Sequence, residues 1–365
     1  MPWIIDGHED LAYNALTFKR DIRRSAAETR LIEKDSPIPT RTGQSTLGWP
    51  DYQRGQVAVV FGSIFQEHRR HLTADWEVLA YTSFAEANLV HHRQLDYYRR
   101  LVDSSPDLFS LILTRKDLRA VLAEWEQPAP ANPATPRRMG FVLAMEGAEG
   151  IEDPREMEEW WAYGLRIVGL VWSGGRFCGG SHSEGGFTPL GRRMLDVLGS
   201  LGYALDLAHM NEISALQALD AYSGTLIATH ANAKALLKEV HGERHLPDPT
   251  IRRIAERDGV IGILPFNRFL VPSWKDGDDR ALVTLQHVVA QIDHICQLTG
   301  STRNVAFGTD FDGGFGYPAI PLEMNTIADL QKIAPLLAEK GYTEAQISDI
   351  FGRNWQRILE KILPD

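Results

Sequence analysis

Eight short apolar runs, separated by longer segments, constrain the fold of this chain more than any other feature of its sequence. Segments between them, such as 75–102 and 282–298, carry apolar residues at helical spacing. Alternating strands and helices predict a parallel α/β sheet, and eight of each favour a closed (β/α)8 (TIM) barrel over an open doubly wound sheet. The runs lie at 3–8, 56–65, 139–146, 165–172, 202–209, 225–230, 259–266 and 304–310.

The length of the chain suits one barrel with insertions, so we expect residues 1–365 to form a single domain. Segment 29–54 is polar and turn-rich, which predicts an insertion after the first strand. Segment 127–138 contains four prolines and predicts a surface loop. Residues 343–362 predict a final helix that either covers the floor of the barrel or contacts another subunit.

Charge and cysteine content exclude several classes of function. The net charge of −10 and the pI of about 5.7 argue against nucleic acid or an anionic membrane surface as a partner. Cys178 and Cys296 are far apart, which excludes a disulfide scaffold and a thiolate zinc site. The sequence has neither a secretion leader nor an apolar run long enough to cross a membrane. We therefore expect a cytoplasmic protein.

The first apolar run ends in two potential metal ligands. His8 and Asp10 are two residues apart, and residues at that spacing on a strand project to the same face. An imidazole and a carboxylate that project together form half of a metal site.

The other runs end mostly in residues that bind metals or transfer protons. Barrel enzymes place their active sites where the strands end, and nitrogen and oxygen donors suit zinc or manganese. The sequence therefore predicts two cations that share Glu146 and a hydroxide, with Asp310 as the general base that later protonates the leaving nitrogen. The residues at the run ends are His8 and Asp10, Glu146, Trp172, His209, His230 and Asp310.

Six segments, in this order along the chain, resemble the signature blocks of the membrane (renal) dipeptidase family, which are metallopeptidases of the amidohydrolase type. The resemblance covers residues 3 to about 360. It implies a (β/α)8 barrel, two Zn²⁺ ions or other divalent cations, dipeptide substrates that often carry a D-residue at the C-terminal side, and a homodimer. The segments are DGHEDL (6–11), AMEGAEGI (144–151), DLAHM (206–210), ATHANAKAL (228–236), RHLPD (244–248) and GTDFDGG (308–314).

The resemblance also implies a role for each matching residue. It assigns His8 and Asp10 to one metal, His209 and His230 to the other, and Glu146 to a bridge between them. It assigns Asp310 as the acid/base residue and Arg244 as the clamp for the substrate's C-terminal carboxylate. The planar guanidinium fork suits a carboxylate, since it binds both oxygens at once.

Several positions depart from the family pattern. The animal enzymes have a histidine after the fourth strand, where this chain has Trp172, as bacterial relatives also have. An indole offers one N–H and no charge, so stabilisation of the oxyanion must come partly from elsewhere. Arg176 and His182 in the following glycine-rich loop are the candidates for that role. Glu9, Ala12 and His245 also replace family residues near the site.

Other polar residues have plainer interpretations. Asp6 is either a partner that orients a metal ligand or a cap, and Asp312 is interpreted as a turn former. The remaining residues are predicted to be structural or solvated. His68, His71, His91 and His92 are expected to face solvent, the two cysteines to lie in the core, and Trp76, Trp125, Trp160 and Trp161 to serve in packing.

Two alternative functions remain open. One is an amidohydrolase of the same fold that acts on a small N-acyl amino acid, amide or lactone, which would be favoured if Arg244 lay away from the metals. The other is a non-catalytic binding protein that kept the fold. The presence of all six metal-site and acid/base residues argues against the second.

Overall fold

Eight parallel strands form the centre of the protein. Its structure is a computed structural model that describes residues 1–71, 76–127, 136–172, 175–237 and 243–365. Each predicted run overlaps one of these strands, so the prediction of an α/β barrel is confirmed. The strands are β1 (Ile4–Glu9), β2 (Val57–Phe65), β3 (Met139–Glu146), β4 (Leu165–Gly169), β5 (Ala204–Asp206), β6 (Thr225–Ile227), β7 (Ile261–Ile263) and β8 (Val305–Phe307).

The strands pair in sequence order, and β8 returns to β1 through the pair Asp6 and Phe307. A parallel bridge between Ala228 and Ile261 joins the end of β6 to β7 and closes the ring. Three short strands lie outside the ring. Phe109–Leu111 pairs with β3, and Glu67–His68 pairs with Ala80–Tyr81.

Helices surround the ring and cover the outer face of the strands. This is why the barrel strands are buried along their whole length and read as nearly continuous apolar runs. The helices are α1 (Leu11–Phe18), α2 (Ala26–Glu33), α3 (Ile38–Thr42), α4 (Trp49–Gly55), α5 (Phe84–Ser104), α6 (Arg115–Glu126), α7 (Met157–Ala162), α8 (Pro189–Leu201), α9 (Glu212–Ala221), α10 (Asp248–Glu256), α11 (Asn267–Leu270), α12 (Leu285–Thr299), α13 (Ile333–Glu339), α14 (Glu344–Ser348) and α15 (Asn354–Ile362).

Two predicted helices begin at other positions than expected. The helix predicted over 75–102 begins at Phe84, because Ser83 caps it by accepting a hydrogen bond from the backbone of Glu86. The apolar pattern before Ser83 reflects buried loop residues such as Leu79 and not a helix. The helix predicted over 282–298 is α12, and a 3₁₀ turn precedes it.

Segment 29–54, which we interpreted as a turn-rich insertion, lies between β1 and β2 and contains helices. Where the sequence pattern predicted turns, the segment includes most of α2, all of α3, and all of α4 except Gly55. A capping box between Ser25 and Glu28 begins α2. The predicted surface loop 127–138 falls largely outside the described residues.

The final helical segment covers the floor of the barrel. It consists of α14, a π-helical turn at Asp349–Arg353 and α15, and Thr343 caps its start. The indole of Trp355 is fully buried, contacts Phe61 inside the ring and donates to the Phe307 carbonyl over 2.8 Å. Of the two alternatives for this segment, the structure therefore supports the one in which the helix covers the floor of the barrel.

Most of the structural side-chain interpretations hold. Both cysteines are buried, as expected. His91 was predicted to be solvated, and that prediction is wrong, since the side chain is fully buried within α5. His92 stacks on Trp160 at 4.7 Å and is only partly exposed. In the described part of the chain, no helix has the length and apolarity needed to cross a membrane.

Candidate metal centre

Five predicted ligands come together at the carboxyl ends of the barrel strands. His8 lies near the end of β1, and Asp10 directly follows that strand. Glu146 ends β3, and His209 and His230 follow β5 and β6. Their donor atoms form groups of three that lie within 4.8 Å of one another. The side chain of His8 contacts both the Asp10 carboxylate, at 3.7 Å, and the His230 ring, at a centroid distance of 3.9 Å.

Glu146 lies between the two halves of this cluster and presents a different oxygen to each half. Its Oε2 atom is 3.4 Å from Nε2 of His8. Its Oε1 atom is 2.9 Å from Nε2 of His209 and 3.4 Å from Nε2 of His230. One oxygen of this carboxylate therefore faces His8, and the other faces His209 and His230.

The hydrogen bonds of His230 fix its tautomer. Asp206 accepts the hydroxyl of Thr229 over 2.5 Å, so the Thr229 oxygen accepts from Nδ1 of His230 over 2.8 Å. With its proton on Nδ1, the ring presents an unprotonated Nε2 to the centre, only 3.0 Å from Nε2 of His209. A buried partner that orients a histidine in this way is typical of a metal ligand.

The electrostatics of the cluster also favour cations. Burial, with the nearby Arg244, lowers the pKa of His209 to about 4, and burial lowers that of His230 well below its usual value, so both rings are neutral at neutral pH. Although burial opposes its charge, the carboxylates of Glu146 and Asp10 raise the pKa of His8. Both ring nitrogens of His8 are buried without a hydrogen-bond partner. These nitrogen and oxygen donors therefore fit a divalent metal.

Asp310 lies at the edge of the cluster in a constrained conformation. Its Oδ1 atom is 3.9 Å from Nε2 of His8, and its φ angle is +54°, a region that residues other than glycine rarely adopt. Burial raises the pKa of its carboxyl group, and the carboxylates of Asp10 and Glu146 add to that effect. His209 shares the left-handed conformation, with φ at +64°. Strained backbone of this kind is concentrated at functional sites.

Two buried aspartates each accept hydrogen bonds from the residue that precedes a site residue, and that residue follows the neighbouring strand. Asp6 on β1 accepts the N–H of Thr309 over 2.7 Å and its hydroxyl over 2.5 Å, directly before Asp310. Asp206 on β5 accepts the N–H of Thr229 over 2.8 Å and also its hydroxyl, directly before His230. Of the two interpretations for Asp6, the geometry supports the orienting partner over the cap.

A cavity of about 620 Å³ opens from this cluster to solvent. Four residues of the candidate metal centre line it, namely Asp10, Glu146, His209 and Asp310. The remaining lining side chains are mostly aromatic or charged, which gives both apolar surface and polar contacts for a small ligand. They include Tyr13, Arg41, Phe65, Glu67, Trp76, Glu77, Trp172, His182, Glu243, Arg244, Phe266, Phe269 and Phe315.

The structure places Arg244 and Trp172 in this cavity. Arg244 is close enough to the metal centre to lower the pKa of His209, and its Nη1 atom is buried without a hydrogen-bond partner. Trp172 packs edge-on against Phe65, with its ring 6.0 Å from that of His209. His182 is exposed and lies 6.2 Å from the Trp172 ring.

Arg176 does not line the cavity. Its guanidinium lies over the Phe84 ring at 3.7 Å and donates to the Glu152 carbonyl over 2.8 Å. The predicted role in substrate binding therefore has no geometric support for this residue, because helix α5 holds it away from the centre.

Two residues near the site have structural roles that the sequence left undefined. Glu9 is fully buried and accepts a hydrogen bond from the Tyr52 hydroxyl. Asp312 has a left-handed φ of +62°, as a turn former does, but it is also buried, and it accepts from Ser45 over 2.8 Å and lies 3.3 Å from Arg20. Both therefore brace the loops around the metal centre.

A closed parallel barrel with clustered histidines and carboxylates at its carboxyl rim defines a metal-dependent hydrolase. The family model of membrane dipeptidase (peptidase family M19) matches residues 2–363 of this chain. The chain belongs to that family and is a metallodipeptidase, as its resemblance to the family predicted.

Two curated relatives resemble this chain in sequence, and a solved structure resembles it in fold. An uncharacterized protein in the pqqA 5′ region of Klebsiella pneumoniae is 29% identical over 61% of this chain and 82% of its own length. An uncharacterized dipeptidase of Schizosaccharomyces pombe is 27% identical over 60% of this chain and 52% of its own. A metallopeptidase from Rhodobacter sphaeroides, solved with a phosphinate mimic of the dipeptide L-Ala-D-Ala, has the same fold, with a TM-score of 0.75 at 23% identity over 99% of both chains.

Proposed function

We propose that the protein hydrolyses dipeptides at a centre of two zinc ions. The observation that carries this proposal is the position of Glu146, whose two oxygens face separate pairs of ligands. His8 and Asp10 would hold one ion, and His209 and His230 the other. Two cations at such a site polarise a carbonyl oxygen and lower the pKa of water between them.

Asp310 is the proton carrier in this proposal. It lies at the edge of the metal centre and lines the cavity, and its carboxyl pKa is raised by burial and then by the neighbouring carboxylates of Asp10 and Glu146. As the oxygen of water forms a bond with the peptide carbon, Asp310 accepts the proton of that water. It then donates the proton to the nitrogen as the C–N bond breaks, so the products are two free amino acids.

Arg244 limits the substrate to short peptides with a free carboxylate. It lines the same cavity as the metal centre, and its unpartnered Nη1 atom leaves a donor available for a ligand. A carboxylate bound there fixes the distance from the chain end to the scissile carbonyl. This contact favours a dipeptide over a small amide or lactone without a carboxylate.

The proposal includes dipeptides whose C-terminal residue is a D-amino acid. The Rhodobacter sphaeroides structure holds a mimic of L-Ala-D-Ala, which shows that the fold accommodates this geometry in that protein. Recognition through the carboxylate by Arg244 places no demand on the side chain of the C-terminal residue. L-Ala-L-Ala and L-Ala-D-Ala should therefore both be hydrolysed.

The test compares a dipeptide with its C-terminal amide. The wild-type enzyme should hydrolyse Ala-Ala much faster than Ala-Ala-amide. The substitution Arg244→Met should lower kcat/KM for Ala-Ala roughly 10²-fold, because a charge-assisted bidentate contact contributes about 3 kcal/mol at most. The amide should be affected little.

Arg41→Met is the matched control, because Arg41 lines the same cavity with its guanidinium 5.4 Å from the Trp76 ring centroid. It should keep the preference for the free carboxylate. Equal losses on both substrates in the Arg244 variant, or no hydrolysis of any dipeptide by the wild type, would contradict the proposal.

A further inference from the structure

The part of the cavity that follows strand β2 is acidic. Glu67, Trp76 and Glu77 come from the loop after β2, and Tyr13 joins them from α1. Arg244 follows β6, which lies four strands away from β2 in a ring of eight. The two glutamates and Arg244 therefore stand on opposite sides of the rim, with the metal centre between them.

This arrangement fixes which end of a substrate meets the glutamates. The inference rests on the proposed function, in which the C-terminal carboxylate binds Arg244 and the scissile carbonyl lies at the metal centre. The N-terminal residue must then extend toward the loop after β2. Glu77 lines the same cavity as the metal-centre residue Asp10, and burial, with a smaller contribution from Asp10, raises the pKa of Glu77.

The two carboxylates repel one another, and the hydroxyl of Tyr13 donates a hydrogen bond to Glu77. The backbone N–H of Leu79 donates to Glu77 over 2.7 Å and fixes that side chain. Burial, followed by repulsion from Glu77, raises the pKa of Glu67 to about 7. Arg41 lies on this side of the cavity, but among the described residues it makes no ion pair with either glutamate, and its guanidinium faces the Trp76 ring. Two partly buried carboxylates that form no ion pair with another described residue favour a positively charged ligand.

The walls around the glutamates are aromatic. Phe65 and Trp172 pack edge-on at a centroid distance of 5.0 Å. Trp76 lies 5.3 Å from Phe18, and Tyr13 packs edge-on against both Phe18 and Phe65. A long aliphatic stem that ends in a cation suits such a surface, since the stem packs on the rings while the charge reaches the carboxylates. Lysine and arginine side chains have this form.

We propose that Glu67 and Glu77 form a specificity subsite for a lysine or arginine side chain at the N-terminal position of the dipeptide. The cavity of about 620 Å³ leaves room for such a side chain beside the metal centre. Dipeptides with an N-terminal basic residue are then the preferred substrates, and those with an N-terminal acidic residue the poorest.

The experiment measures kcat/KM for Lys-Ala and for norleucyl-Ala, which has the same stem without the charge. The wild type should favour Lys-Ala by about tenfold or more, as one charge-assisted contact is worth at least about 1.5 kcal/mol. Glu67→Gln and Glu77→Gln should each reduce that ratio severalfold while norleucyl-Ala hydrolysis changes little. Glu243→Gln, the same change on the opposite side of the cavity, should keep the wild-type ratio.

A second pair of substrates separates the side chain from the N-terminal amine. Propionyl-Ala is Ala-Ala without its amine. If the variants lower the ratio of Ala-Ala to propionyl-Ala and leave the ratio of Lys-Ala to norleucyl-Ala unchanged, the glutamates bind the amine and the side-chain subsite is overturned. If the ratio of kcat/KM for Lys-Ala to that for norleucyl-Ala is the same in the wild type and in all variants, the side-chain subsite is also overturned. Absence of dipeptide hydrolysis by the wild type, in contrast, would refute the proposed function itself.

Discussion

Thr309 connects Asp310, the proposed acid/base residue, to the strand beside it. Its N–H and hydroxyl both donate to Asp6, and the next residue, Asp310, has a left-handed backbone. Thr309→Val keeps the shape but loses the hydroxyl contact. We expect kcat to fall roughly 10- to 100-fold with little change in KM or metal content, because the loss misplaces Asp310 alone. Steady-state kinetics measure this, and Thr309→Ser should restore kcat.

Thr229 has the matching contact with Asp206 but a different neighbour. Its hydroxyl also accepts from Nδ1 of His230, which keeps Nε2 unprotonated. Thr229→Val should therefore weaken zinc affinity roughly 10- to 100-fold, and added zinc should recover the activity. Competition with a chelator measures the affinity. If both valine variants lower only the melting temperature, the threonines are merely structural.

His91 should make the fold sensitive to acid. Its imidazole is fully buried, and burial lowers its pKa to about 3, so the unfolded chain takes up the proton first. Its contribution to stability is present above its unfolded pKa of about 6.5 and is lost as the pH falls below that value. Between pH 7 and pH 5 the loss amounts to about 2 kcal/mol.

The measurement is urea unfolding of wild type and His91→Gln at both pH values. The glutamine variant should lose about 2 kcal/mol less stability on acidification than the wild type. His92→Gln serves as the control, since the His92 ring remains partly exposed. Equal acid sensitivity in wild type and both variants would refute the buried neutral histidine.

At the residue scale, the sequence predicted which residues form the candidate metal centre, but it did not predict the hydrogen-bond partners that hold them in place. His8 and Asp10 follow from strand spacing alone, whereas the role of Asp206 depends on Thr229, which the register of β5 and β6 brings beside it. The burial of His91 was missed because a single polar residue on a helix carries no signal of what packs over it. An acidic residue two or three positions before a predicted ligand is the one sequence signal that could have indicated these hydrogen-bond partners.

At the scale of elements, α15 contributes to the barrel interior as well as to its floor. Trp355 is fully buried and occupies the space above Gly7, where an added Cβ would come within 2.8 Å of the indole. Trp355→Ala should lower the free energy of unfolding by about 3–5 kcal/mol. Denaturant titration measures this, with Trp161→Ala as the control at a partly exposed tryptophan, which should cost clearly less.

The strands were easier to predict than the helices. Each barrel strand is buried on both faces, so its apolar run marks its place directly. The start of helix α5 was predicted wrongly because Leu79, a buried loop residue, has helical spacing to it. The three helices of segment 29–54 were missed because they are short and polar, and tertiary contacts such as the hydrogen bond from the backbone of Ala26 to Asp51 stabilise them.

At the scale of the whole molecule, the barrel brings residues from five distant segments to one rim. Counting eight strands predicted this convergence, since the carboxyl ends of parallel strands meet at one face. The sequence could not predict which charged residues face the cavity. Arg176 and Arg244 both follow barrel strands, but only Arg244 lines the cavity.

The central claim is that Glu146 bridges two metal ions that the enzyme needs for hydrolysis. The most direct test is the zinc content per chain, measured by elemental analysis together with Ala-Ala hydrolysis, in wild type, Glu146→Gln and Glu149→Gln. Glu149 is a buried glutamate in the same loop, and burial raises its pKa to about 7, so its amide variant is a matched control. We expect about two zinc ions and full activity in wild type and in the Glu149 variant, and loss of zinc and of activity in the Glu146 variant. Full hydrolysis with one zinc ion or none, or with an intact Glu146→Gln enzyme, would contradict the claim.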